Sequence, residues 1–81
     1  MKIKVLYFGV LAHNMGRDSE EISLPDNARV EDAIQTLSHE YEVLGRYRSL
    51  LAYAVNLEYV SSSQTLKDGD ELAMIPPVSG G

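Results

Sequence analysis

The chain has 81 residues, no cysteine, and a net charge of −5 from seven basic and twelve acidic side chains. That length suits one domain on one small core and leaves no room for a deep cleft walled by two lobes. The missing cysteine excludes disulfides, thiolate metal sites and a thiol nucleophile. The acidic balance, with basic residues scattered apart from pairs such as Arg46-Tyr47-Arg48, disfavours nucleic acid and favours a basic protein surface as partner.

The first residues, Met1-Lys2-Ile3-Lys4-Val5-Leu6-Tyr7-Phe8, alternate too strictly and run too short for a signal peptide, and no small-residue cleavage site follows. No stretch approaches the ~20 apolar residues that span a bilayer. A soluble, cytoplasmic protein without a membrane partner is expected. Residues 2–8 read as a strand by their period of two, with Ile3, Val5 and Tyr7 on one face and Leu6 and Phe8 on the other. Residues 9–17 read as a loop, with Asn14 and Gly16 as turn residues. Residues 19–24 form a second strand that Pro25-Asp26-Asn27 stops.

The spacing of Val30, Ala33, Ile34, Leu37 and Tyr41 predicts a helix over 30–41 with one apolar stripe. Glu31 and Asp32 sit in its first turn, where the positive end of the helix dipole favours them, and Asn27 is a candidate cap. Residues 43–51 hold a short helical turn around Gly45, and 51–55 form a third strand. Asn56 suits the left-handed conformation of a tight turn, leading to a short return strand over 58–60. After a serine loop, Lys67-Asp68-Gly69-Asp70 is a turn, and 71–75 is the last strand, with Leu72 and Met74 facing one way and Ala73 and Ile75 the other. Strands bracketing one main helix give an α+β fold: a single domain over 1–81 whose mixed sheet packs on that helix as a ubiquitin-like β-grasp.

The chain closes on a tail, residues 76–81, Pro76-Pro77-Val78-Ser79-Gly80-Gly81. Two prolines supply no backbone donors and favour an extended path, so the tail leaves the sheet as a flexible segment reaching roughly 16 Å from residue 77. Glycines without Cβ pass through a narrow channel and let the terminal carboxylate turn towards an activating group. A carboxylate so presented can be adenylated by ATP, and the acyl-adenylate can accept sulfur.

The stretch Leu66-Lys67-Asp68-Gly69-Asp70-Glu71-Leu72-Ala73-Met74-Ile75 followed by PPVSGG resembles the family of small, sulfur-carrying subunits of molybdopterin synthase. Ile3-Lys4-Val5-Leu6-Tyr7-Phe8-Gly9 resembles the family's first strand, and Ala54-Val55-Asn56 with Tyr59-Val60 its central hairpin. The resemblance departs at Leu11-Ala12-His13-Asn14, where members often carry an LRE-like run. It implies that an activating enzyme adenylates Gly81 with ATP and that a sulfur donor converts the adenylate to a thiocarboxylate. The tail then enters the large subunit of the synthase, where sulfur passes to cyclic pyranopterin monophosphate. Gly81 is the implied catalytic donor, with Gly80, Ser79, Val78, Pro77 and Pro76 guiding it. The catalytic side chains belong to the large subunit, the small subunit has no activity alone, and no cofactor is bound to it.

Strand parity adds a docking surface. One face of the first strand meets the helix; the other leaves Leu6 and Phe8 over, with Ile75 pointing the same way and Tyr59 near by. In the family, the matching positions dock both the activating enzyme and the large subunit, so Phe8, Tyr59 and Ile75 are the expected partner-binding residues. His13 and His39 are too far apart in sequence to suggest a metal site, and the acids at 68–71 lack the calcium-loop pattern. Competing readings are a sulfur carrier of thiamine synthesis, a ubiquitin-like protein modifier joined through Gly81, and a binding module with an inert tail.

Overall fold

Lysines alternate with apolar residues at the start of the chain, and there it forms strand β1 (Lys2–Tyr7), with Ile3, Val5 and Tyr7 buried and both lysines in solvent. A computed structural model describes residues 1–77 of the chain. Strand β2 (Ser19–Ser23) pairs antiparallel with β1, placing Ile22 opposite Ile3. Strands β3 (Ala52–Val55) and β4 (Glu58–Val60) form a hairpin. Strand β5 (Glu71–Ile75) lies between β1, to which it is parallel, and β3, to which it is antiparallel. The mixed sheet has five strands in the order β2-β1-β5-β3-β4.

The predicted helix is present as α2 (Val30–Glu40), with Val30, Ala33, Ile34 and Leu37 buried against the sheet. It starts at Val30 as expected, but its cap differs from the expectation. Asn27 lies outside the helix with a left-handed φ of 69° and does not cap it. The free N–H groups are satisfied otherwise: Val30 and Glu31 donate to the carbonyls of Gln64 and Ser62 at 2.9 and 2.8 Å. The Asp32 carboxylate accepts from the Arg29 N–H at 2.8 Å. The loop after β4 thus takes over the role of a capping side chain. Tyr41 turns extended (φ −122°, ψ 107°) and ends α2, and a second helix, α3 (Glu42–Tyr47), follows, with Val43 and Leu44 buried, then a 3-10 turn (Arg48–Leu50).

The expected loop over 9–17 contains a helix, α1 (Val10–Met15). Gly16 closes it with φ 70°, its N–H donating to the Ala12 carbonyl at 3.0 Å, and Leu11 is fully buried. Leu11 is the helix's one buried residue and belongs to the core cluster, with Ala12 and Met15 partly buried against it. The result is the ubiquitin-like β-grasp: a twisted mixed sheet closing round α2, with the smaller helices at its rim.

Candidate docking face and tail root

The side of the sheet away from α2 is set by strand register. Leu6 of β1 stands beside Ala73 of β5, Ala73 opposite Ala54 of β3, and Ala54 opposite Tyr59 of β4. One row of side chains thus crosses four neighbouring strands, and its two central members are alanines. Small residues in the middle and larger ones at the flanks leave a hollow of about 210 Å³ lined by Leu6, Phe8, Ala54, Leu57, Tyr59 and Ile75, among others. Phe8 is 45 % and Tyr59 77 % exposed, so the aromatic rings stand in water at the rim. At the far end Lys4 lies between Glu21 and Glu71 in the neighbouring strands, giving the apolar surface a charged margin.

A second hollow, of about 650 Å³, continues from the first through shared residues Phe8 and Ile75 and is completed by Gly9, Val10, Tyr47, Pro76 and Pro77. It is the root of the tail. Gly9 makes it possible: with φ 55° and ψ −127° it occupies a backbone region open to glycine but strained for other residues, and it turns the chain from β1 into α1. A Cβ on Gly9 would lie 3.4 Å from the Pro76 ring, so the chain passes close to Pro76 at this point. Phe8, Tyr59 and Ile75, the expected partner-binding residues, therefore line one face, and Pro76 and Pro77 adjoin it. The expected roles of Val78, Ser79, Gly80 and Gly81 fall on positions outside the described residues.

Among the described residues no acid–base pair lines either hollow, and the surface is suited to docking. The titratable network of this region lies on the opposite side of β1. Burial, reinforced by a hydrogen bond to Glu20, pushes the Tyr7 phenol well above its ordinary value. Among the described residues no three His, Cys, Asp or Glu side chains gather to hold a metal ion, and His13 and His39 are exposed on different helices. None of the helices among the described residues is long and apolar enough to cross a membrane.

Residues 5–81 match the ThiS family. The chain belongs to that family. A curated relative, the molybdopterin synthase sulfur carrier subunit of Chlamydomonas reinhardtii, is 39 % identical over 83 aligned positions that cover all of both chains. Among solved structures, a Pyrococcus furiosus protein described as subunit 1 of a molybdopterin converting factor is 38 % identical, with a TM-score of 0.85 over 96 % of this chain and 99 % of that one. A Helicobacter pylori chain solved in the complex of subunits 1 and 2 of molybdopterin-converting factor is 27 % identical, with a TM-score of 0.70 and full coverage of both chains. These full-length likenesses agree with the β-grasp and with the resemblance carried by the residues at 66–81.

In this ThiS-family chain, sequence reasoning missed Gly9, Tyr47 and Leu57 as parts of the surface. Leu57 carried a signal: it follows Asn56 at a turn position where glycine is usual.

Proposed function

We propose that this chain is the sulfur carrier subunit of a molybdopterin synthase, working in the cytoplasm with Gly81 as its reactive end. The observation that carries the proposal is the juxtaposition of an exposed apolar face with the root of the Gly-Gly tail, in a chain alike over its full length to curated sulfur carrier subunits. A carboxylate oxygen of Gly81 attacks the α-phosphorus of ATP on an activating enzyme, and pyrophosphate leaves. A hydrosulfide equivalent from the sulfur donor then adds to the acyl carbon and expels AMP, leaving a thiocarboxylate. The open face docks on the large subunit, which supplies the catalytic side chains. There the sulfur passes to cyclic pyranopterin monophosphate, and water restores the carboxylate. The small subunit contributes positioning and a leaving acyl group; it binds no cofactor.

The test is reconstitution. The chain bearing a chemically installed C-terminal thiocarboxylate is mixed with a molybdopterin synthase large subunit and the pterin precursor. Appearance of the dithiolene product, dependent on both proteins, is the expected result. Sulfur delivery only to a thiazole-forming system would assign the carrier to thiamine synthesis instead.

A further inference from the structure

The β3–β4 hairpin is joined by a two-residue loop, Asn56-Leu57, closed by the Val55–Glu58 pair. Both loop residues have positive φ, 50° and 73°, as in the type I′ turn whose twist matches the flanking strands. Asparagine suits the first position. The second is ordinarily glycine, because a side chain there crowds the backbone. Leu57 adopts that conformation while 91 % exposed, so little packing within the chain offsets the strain.

The turn is also held rigidly. The Asn56 side-chain amide donates to Asp70 at 2.9 Å, and its carbonyl accepts from the Glu71 N–H at 3.0 Å. The Asn56 N–H donates to the Glu71 carbonyl at 2.9 Å. Asp70 is fixed in turn by the Lys67 N–H at 2.8 Å. Strain held in place by its surroundings, around a large apolar side chain directed into solvent, is the signature of a contact made elsewhere.

Leu57 belongs to the open face: it lines the same hollow as Tyr59, Ala54 and Ile75. It stands at the Glu71 end of β5, whereas the tail leaves from the Ile75 end, ~13 Å away at the rise of a strand. A partner that gripped only the tail root would leave the domain free to swivel. A second contact at the hairpin tip fixes its orientation.

We infer that Leu57 is a preorganised anchor for the large subunit of the synthase, entering an apolar pocket of that partner and setting the direction in which the tail is presented. The inference rests on the carrier-subunit reading. It commits to the large subunit because the hairpin tip is continuous with the docking face, and because a similar chain was solved together with the second subunit of its factor. As a positioning residue, Leu57 contributes to complex lifetime without taking part in the chemistry.

The experiment measures binding kinetics of the full chain to a purified molybdopterin synthase large subunit, with thermal melts alongside. Leu57→Gly relieves the strained φ and removes the anchor, so melting is expected at or above the wild-type temperature while Kd weakens about 10- to 100-fold, mainly through faster dissociation. Leu57→Asn, which keeps a residue tolerant of the turn, is expected to give the same loss. Leu57→Met is expected to restore affinity to within a few-fold. Unchanged affinity in both the glycine and asparagine variants would overturn the anchor. A wild-type chain that fails to bind the large subunit would overturn the carrier reading itself, and so the two failures are told apart.

Discussion

The Tyr7 hydroxyl donates a 2.6 Å hydrogen bond to the Glu20 carboxylate, whose other oxygen accepts from Arg17 at 3.2 Å. The Tyr41 ring meets Tyr7 edge-on at 6.3 Å and lies 5.9 Å from the Arg17 guanidinium. This network ties β1, β2 and the end of α2 together just below the point where Gly9 turns the chain towards the tail root. Burial, then the bond to Glu20, raises the phenol of Tyr7, and burial also raises those of Tyr41 and Tyr53. In the unfolded chain a phenol ionises near pH 10, whereas in the folded protein these hold their protons to higher pH. The unfolded state therefore loses protons first, and stability falls as pH rises through that value. Urea midpoints measured across the alkaline range are expected to decline, and the slope is expected to flatten in Tyr7→Phe.

Gly9 and Gly45 are expected to respond oppositely to alanine. Gly9 holds φ 55° and ψ −127°, so Gly9→Ala strains the backbone at the tail root and should destabilise the fold by about 1–3 kcal/mol. Gly45 lies within α3, with nothing within 4 Å of an added Cβ, and Gly45→Ala should be neutral or stabilise by up to ~1 kcal/mol. Chemical denaturation of the two variants distinguishes strain from a general intolerance of side chains.

Leu11 is the test of α1. It is wholly buried, so Leu11→Ala should cost about 2–5 kcal/mol, whereas His13→Ala, two residues along on the solvent side, should stay within about 0.5 kcal/mol of wild type. Equal, small effects at both positions would mean that α1 does not belong to the core.

On the open face, Tyr59→Asp should leave the fold nearly unperturbed, because the side chain is 77 % exposed, while weakening binding to the large subunit at least tenfold. Parallel thermal melting and titration calorimetry separate the two effects. A variant that melts as wild type and binds as wild type would remove Tyr59 from the interface.

Much of this architecture is legible in the residues because the sheet obeys a period of two. The alternation in β1 and β5 assigns Tyr7, Leu72 and Met74 to the core. The same parity places Phe8 and Ile75 on the opposite face, where the structure finds them with Tyr59. α1 was not legible, because a six-residue helix with a single fully buried residue has no stripe to display, and Asn14 and Gly16 read as turn residues. Asn14 does bond locally, its side-chain amide donating to the Val10 carbonyl at 2.9 Å, but it does so within the helix. α2 starts at Val30 as its apolar stripe predicts, but the expected cap at Asn27 is absent for a different reason: the first N–H groups are met by backbone carbonyls more than thirty positions away, at Ser62 and Gln64, which no local pattern announces. Asn56 was legible as a turn residue, whereas the bonds that hold its side chain come from Asp70 and Glu71, brought to it only by the pairing of β3 with β5.

The central claim is that Gly81 carries sulfur, and the intact mass of the chain tests it most directly. The chain is incubated with a cognate activating enzyme, ATP and a sulfur donor. The account predicts a mass gain equal to the replacement of one oxygen by sulfur, localised to Gly81 by fragmentation and lost when Gly81 is deleted. An unchanged mass, with an activating enzyme proven on its own carrier and shown to bind this chain, would contradict it.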